Sequence, residues 1–147
     1  MATRLADIRD LIKTKLEDLG GSGSPVFKEV FDYAQGDFKK YPVAVILPTG
    51  GSEGSVLDTH RNHRTFSFLV TCYHEQTDAG PDKEEVNDIM TNVVDEVIVA
   101  FDQDKNFGFE VEQIRVVKMD FNFRVANGPF DFASFQVDAV VVVHNYP

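Results

Sequence analysis

Apolar residues recur along the chain at two spacings, one typical of helices and one typical of strands. Over Thr3–Leu19 they recur every three to four positions, which predicts an amphipathic helix with Thr3 as N-cap and Gly20-Gly21 as its end. A second helix is predicted over Pro81–Phe101, with Pro81 at the first helical position. The apolar stripe of this second helix comprises Val86, Ile89, Met90, Val93, Val97, Ala100 and Phe101.

Four segments have a strand-like pattern. Val26–Tyr33 is predicted as one strand, and Val43–Leu47, apolar on both faces and bracketed by Pro42 and Pro48, as a central strand. Phe66–His74 alternates apolar and polar residues. The last strand alternates most regularly, and its apolar positions are Ala133, Phe135, Val137, Ala139, Val141 and Val143.

The chain from Phe107 to the Asn127-Gly128 turn signal is predicted to be β, with an irregularity. Ile114 and Val116 share one alternation phase, whereas Met119 and Phe121 return to the other. Such a phase switch indicates a β-bulge, and Asn-Gly is a strong hairpin signal.

The predicted element order is α-β-β-β-α-β-β in a single domain, residues 1–147. Two amphipathic helices packed on a mostly antiparallel sheet can enclose one core, so the predicted fold class is α+β. Between the second and third strands lies a long β-hairpin arm, about residues 48–65, with glycine and serine in Thr49–Ser55 and polar residues in Asp58–Thr65. An arm this long without a catalytic motif points to assembly and not to chemistry.

Composition and charge narrow the classes of function. With 43% hydrophobic and 26% charged residues, the chain has the composition of an ordinary globular domain. Its apolar runs are too short to cross a bilayer, and its one cysteine, Cys72, fits synthesis in a reducing cytoplasm. The net charge of −10 lies entirely in residues 74–147. Such a surface repels phosphates and argues against sequence-specific DNA binding.

Catalytic and metal-binding motifs are absent from the sequence. There is no phosphate-binding glycine loop, nucleophile elbow or zincin helix. His60 and His63 lie three apart in an extended arm, with no further ligand to complete a metal site. Cys72 and His74 share a strand face without a third group, so Cys72 is expected to be a buried small hydrophobe. No metal site, catalytic residue or cofactor is predicted.

Two acidic stretches have competing interpretations. Asp102–Asn106 opens like a calcium loop, but Phe107 stands where glycine is required and Gln113 where a bidentate glutamate is required, so a solvated turn is favoured. The carboxylates of the second helix are interpreted as a solvated face. The functional alternative is an acidic face towards a basic partner or passing DNA. Val99 on the same side of this helix is a candidate subunit contact.

The combined pattern resembles the tail terminator (tail completion) proteins of long-tailed bacteriophages. The resemblance covers nearly the whole chain and is one of element order and apolar pattern. It is carried by the helix Leu5–Leu19, Phe27-Lys-Glu-Val30, Tyr41-Pro-Val-Ala-Val-Ile-Leu-Pro48, the strand Arg64–Tyr73, the second helix with Ile89-Met90 and Val93-Val94-Asp-Glu-Val97, and the final valine strand.

The resemblance implies a non-enzymatic structural protein of the virion. Such a protein forms a homo-oligomeric ring, usually a hexamer, that caps the tail tube, ends its polymerisation and joins the tail to the neck or head. The implied partners are the tail tube protein and a neck or head-completion protein, with DNA as passing cargo and no membrane. The implied location is the tail–neck junction of the virion, after assembly in the host cytoplasm.

The resemblance assigns roles to regions of the chain. The arm is the implied inter-subunit or tube-facing element, and the second helix is the implied lumen or partner face. Together with Val99, the candidate subunit or partner contacts are Glu53, Asp58, His60, Arg61, His63 and Arg64. The candidate acidic-face residues are Glu84, Glu85, Asp88, Asp95 and Glu96.

Two alternatives remain open from the sequence. One is another head–tail connector or neck ring, which differs in its partners and not in its fold class. The other is a small α+β enzyme or ligand-binding module, in which Arg61, His63 and Arg64 are the candidates for binding an anion.

Overall fold

A computed structural model describes residues 4–21, 23–56, 61–75, 83–108, 110–122 and 130–144. In these residues two helices and five strands follow one another in the predicted order α-β-β-β-α-β-β. The elements are α1 (Leu5–Glu17), β1 (Glu29–Phe31), β2 (Val43–Val56), β3 (Arg61–Glu75), α2 (Lys83–Gln103), β4 (Gln113–Asn122) and β5 (Phe130–His144).

The five strands form one sheet in the spatial order β1-β2-β3-β5-β4. β1 pairs with β2 in parallel, and the other three pairings are antiparallel. The predicted α+β class with a mostly antiparallel sheet is therefore confirmed. The last strand in the chain, β5, lies between β3 and β4. It is apolar at every second position because one of its two faces is buried beneath the helices.

Helix α1 buries one side against β1 and β2. Its fully buried residues Ile8, Ile12 and Leu16 are four apart, as expected for one face of a helix. The N-cap is Arg4, which makes no side-chain capping bond, and the predicted cap Thr3 lies outside the described residues. The helix ends at Glu17 with Asp18 as C-cap, two residues before the predicted end at Leu19. The predicted Gly20-Gly21 lie in the turn that follows, where both have positive φ and a Cβ on Gly20 would collide with the Ser24 carbonyl oxygen.

Helix α2 packs against one face of the sheet through its predicted apolar stripe. The core residues of β3 and β5 lie on this same face. Val86, Met90 and Val97 are buried, and Val94, outside the predicted stripe, is buried as well. The helix runs from Lys83 to Gln103, two residues further than predicted, and Pro81 lies outside the described residues.

The core continues across the sheet along register partners. Ile46 pairs with Val70, and Val70 pairs with Phe135, and all three side chains have no exposed area. The alternations predicted for Phe66–His74 and for the last strand are confirmed, with the even-numbered β3 positions and the odd-numbered β5 positions facing the helices.

Aromatic residues cover part of the opposite face of the sheet. The ring of Phe38 lies 6.1 Å from that of Phe31, 5.2 Å from Tyr73 and 6.0 Å from Phe130. Tyr73 is the register partner of Val43, and Phe31 that of Val45. These rings account for the burial of both valines on the side away from the helices.

The aromatic residues on this face also explain why the predicted boundaries of one strand were wrong. The predicted strand Val26–Tyr33 is reduced to Glu29–Phe31, because the chain then leaves β2 and carries Phe38 over the sheet. The β region predicted from Phe107 is likewise shorter, since the described residues from 104 to 112 form turns and β4 begins at Gln113. The predicted bulge is confirmed by a register shift between Val116 and Lys118.

Candidate assembly surfaces

The predicted arm is a paired extension of the sheet. β2 does not end at Pro48 as expected but continues to Val56, and its register partners include Glu53 with Arg64 and Val56 with Asn62. Register shifts follow Pro48 and Glu53. A proline fits here because β1 pairs with β2 only as far as Val45, so that β2 is an edge strand from this point among the described residues.

β5 supports the arm from its other side. The pairing of β3 with β5 runs from Glu75 and Phe130 to Arg61 and His144, so β3 is hydrogen-bonded to a neighbouring strand on both edges along most of the arm. This pairing makes the described part of the predicted arm an ordered extension of the sheet, because backbone polar groups joined in ladders on two sides are held in place.

The arm candidates occupy different positions in this extension. Glu53 lies in β2 and Arg61 at the start of β3. Half-buried His63 and Arg64 are neighbours on β3 and therefore point to opposite faces, with Val142 and Val141 as their partners on β5. Asp58 and His60 lie outside the described residues.

The candidates on α2 lie mainly on its outer side. Glu84, Glu85, Asp88 and Asp95 are exposed and Glu96 is half-buried. No lysine or arginine occurs over residues 84–103, so this part of the helix presents one sign of charge. Val99 is 46% exposed among these carboxylates.

A pocket between α1 and α2 was not predicted. It has a volume of about 180 Å³, and Leu19, Val99 and Ala100 form its apolar part. Lys15, Glu96 and Gln103 complete the lining. Val99, an apolar residue on the polar side of the second helix, was the one sign of this pocket in the sequence. The pocket itself depends on the approach of α1 to α2, which is a tertiary contact.

A row of exposed apolar side chains on β4 was also missed. Val117, Met119 and Phe121 are 40%, 44% and 51% exposed. Met119 and Phe121 are register partners of the buried Phe135 and Ala133, so their strand phase indicated core positions. In the described part of the sheet β4 is the edge strand, and the exposure of these side chains shows that the described helices leave this end of it uncovered.

Asp104, in the turn after α2, accepts hydrogen bonds from within the protein. Asp104 accepts a 3.0 Å bond from Lys15 Nζ and a 3.4 Å bond from the Gly108 N–H, and the next element is the strand β4. Among the described residues, no group of three or more metal-ligating side chains is present. The contacts favour the structural interpretation of the calcium-like segment.

Cys72 and His74 are both buried beneath the helix layer. Burial raises the pKa of the Cys72 thiol above its ordinary value of 9.0, which disfavours the nucleophilic thiolate near neutral pH. His74 Nδ1 donates to the Glu75 carbonyl oxygen over 3.0 Å. The pair lacks the exposed, low-pKa thiol of a nucleophilic site.

Within the part of the chain that the structure describes, neither helix is long and apolar enough to cross a membrane.

Comparison with known proteins finds a similar fold among solved structures. No protein-family model matches the chain, and no curated protein sequence matches it. Among solved structures, it is similar to the sheath/tube terminator of an extracellular contractile injection system, PVC, determined by cryo-EM in the extended state. The TM-score is 0.57 at 9% identity. The match covers 100% of this chain and 58% of the terminator chain, so this chain spans little more than half of that protein. The likeness is one of fold.

Proposed function

We propose that this chain is a non-enzymatic structural subunit that ends the polymerisation of a tail tube. Copies of it form a ring, a hexamer in our proposal, that caps the tube of a bacteriophage tail or of a related contractile particle. In a phage, the other side of the ring joins the neck or head. Its partners are further copies of itself, the tube protein and a neck or head-completion protein.

The observation that carries the proposal is the similarity over the full chain to a sheath/tube terminator. The match covers 100% of this chain. A TM-score of 0.57 at 9% identity supports a shared fold, and function needs a separate argument from surfaces.

The surfaces support assembly in two ways. The β2–β3–β5 extension is held by backbone pairing, so its backbone is already ordered before a partner binds, and a partner gains more of the contact energy. The acidic outer side of α2 and the apolar row on β4 are different surfaces of one subunit. Contact between unlike surfaces is heterologous and closes into a ring when the rotation per subunit divides a full turn.

The test is electron microscopy of particles made with and without this chain. Tails of irregular, excessive length are expected in its absence, and wild-type protein supplied from a second gene copy is expected to restore uniform length. Purified protein is expected to show rings in negative stain. Tails of normal length that fail to join heads would instead identify a connector ring, and a strictly monomeric protein with a tight small-molecule ligand would identify a binding module or enzyme.

The acidic side of α2 has a proposed role within this assembly. A lumen wall bearing Glu84, Asp88 and Asp95 repels DNA phosphates and limits sticking while the genome passes. Changing these three residues to lysine is expected to slow DNA ejection, and to do so more strongly at low salt because screening weakens the effect. The matched control changes the three to neutral glutamine or asparagine. Ejection at the wild-type rate in the lysine variant would exclude this lumen role but not tube termination.

A further inference from the structure

Another pocket lies where the end of β3 meets α2. Its volume is about 490 Å³. Four parts of the chain line it: the segment between α1 and β1, the Tyr41-Pro42 pair, His74 on β3, and one side of α2. Segments that are distant in sequence therefore converge on one space, and several of them bring polar groups to it.

His74 is the buried polar side chain of this pocket. It is 6% exposed, and its Nδ1 lies 3.0 Å from the Glu75 carbonyl oxygen. Because a carbonyl oxygen only accepts, Nδ1 carries the proton of this bond, and in a neutral imidazole Nε2 is then an acceptor. Among the described residues, Nε2 makes no hydrogen bond. A buried acceptor at the wall of a pocket calls for a ligand that donates a hydrogen bond.

The wall formed by Tyr41 lies in negative surroundings. Its ring centre is 5.8 Å from that of His74, and its hydroxyl donates to the Phe38 carbonyl oxygen over 3.3 Å. The pKa of the phenol is raised by burial and by the negative charges of Glu75 and Asp37. A negative potential on this side favours a positively charged group beside the ring.

Further acceptors approach the imidazole from α2 and from β5. Asp88 and Asn92 are one helical turn apart and line the pocket from α2. Asp131 is the register partner of His74 on β5 and is buried, and register partners share a face of the sheet. Lys28 is the one cation among the described lining residues, and it is exposed.

The remaining walls are apolar. An alkyl chain packs against such walls while its charged end reaches polar groups beyond them. Here the charged end would meet the Nε2 lone pair of His74 and the carboxylate of Asp88. The apolar lining residues are Pro25, Val26, Pro42, Ile89 and Val93.

We propose that this pocket binds an alkylguanidinium or alkylammonium group, held by His74, Asp88 and Asn92. The arginine or lysine side chain of another protein and a free polyamine carry this chemistry. The inference goes beyond the proposed function and does not depend on ring formation, since the pocket is complete within one copy.

The first experiment titrates the wild-type protein with N-acetylarginine amide at about pH 8, where histidine is ordinarily neutral. The NMR signals of the His74 ring report binding, and half-buried His63 on the arm is the internal reference. A saturable shift of His74 alone is expected, with a Kd of about 1 mM for a ligand of this size. N-acetylcitrulline amide keeps the shape without the charge and is expected to bind about ten-fold more weakly.

Spermidine in place of the arginine probe separates the two sources of the cation. Tighter binding of spermidine at His74 identifies a free polyamine, and tighter binding of the arginine probe identifies a protein side chain. Either order supports a cation site.

The second experiment uses variants with effects of opposite sign. Asp88→Asn is expected to weaken binding of the arginine probe by about three-fold or more, whereas Lys28→Ala removes an opposing charge and is expected to tighten it by about two-fold. Asp95→Asn is the matched control, because it removes the same charge from exposed α2 outside this pocket. All three positions are exposed, and circular dichroism checks that each variant is folded.

Four results would overturn the cation site. They are an unchanged His74 signal, equal binding of the citrulline probe, equal weakening by Asp95→Asn and Asp88→Asn, and weaker binding in Lys28→Ala. None of these results bears on tube termination, which is judged from rings and tail lengths in the microscope.

Discussion

Lys15 Nζ lies 3.0 Å from Asp104 Oδ2 and joins α1 to the turn that follows α2. The same ammonium group lies 5.5 Å from the centre of the Phe107 ring. The two residues of the ion pair are 89 positions apart in the chain, so this contact ties the N-terminal helix to the second half of the molecule. Lys15 also lines the α1–α2 pocket, so this pocket lies next to the ion pair.

Removing this link is expected to have a small, measurable cost. Lys15→Ala should lower the free energy of unfolding by roughly 0.5–1.5 kcal/mol, because it removes a partly screened ion pair and a cation–π contact. Urea unfolding measures this change. The control is Lys118→Ala, whose pair with Asp120 at 3.7 Å is well exposed and is expected to contribute almost nothing. Equal effects of the two substitutions would contradict the prediction.

Phe107 combines a buried ring with an unusual backbone. Its φ is 46°, in the left-handed region, and its ring packs 5.7 Å from Phe101. Phe107→Ala is expected to cost about 3 kcal/mol or more through the lost burial. Phe107→Gly removes the same ring but relieves backbone strain of about 1 kcal/mol. The glycine variant should therefore be the more stable of the two in urea unfolding, and the reverse order would refute the backbone argument.

Burial of the Cys72 thiol predicts that the free energy of unfolding decreases at alkaline pH. Its thiol pKa is raised in the folded protein by burial, so the folded state keeps the proton after the unfolded state has lost it. Stability is thus fully present below the ordinary pKa of 9.0 and falls above it by up to about 1.4 kcal/mol per pH unit for this one group. Cys72→Ala is expected to be less stable at pH 7 but to show a shallower decline above pH 9. Parallel stability profiles for the two proteins would contradict this assignment.

The paired arm predicts a pattern of amide hydrogen exchange. β3 residues 64–67 pair with both β2 and β5, whereas β2 residues 50–53 pair on one side among the described residues. Exchange is therefore expected to be slower over 64–67 than over 50–53, with 70–73 in the body of β3 as the protected reference. The measurement is made on monomeric protein, so that subunit contacts do not protect the edge. Equally rapid exchange over both arm strands would indicate a mobile arm.

The period of the apolar side chains was sufficient to predict the elements and many of the core positions. Ile8, Ile12 and Leu16 in α1 and the even positions of β3 are buried because one side of each element must leave water, and that side is encoded locally. The phase switch before Met119 predicted the bulge for the same reason. The glycine at position 20 likewise indicated a turn, because a side chain there would collide with the backbone.

Contacts between distant segments were not encoded in that pattern. Pro48 suggested the end of a strand, but an edge strand tolerates a residue without an N–H, and which edge is free depends on where β1 stops. β5 lies between β3 and β4, although it follows β4 in the chain. The polar composition of the arm did not indicate that β5 pairs with β3 there.

The sequence by itself determined the type and order of the elements, most of their buried faces and the concentration of negative charge on α2. Only the tertiary structure decided that the arm is paired on both edges of β3, that Phe121 is half exposed and that a pocket forms beside Val99. The physical reason is that burial along one element follows from its own period. Exposure at a sheet edge or between two helices depends on which other part of the chain packs there.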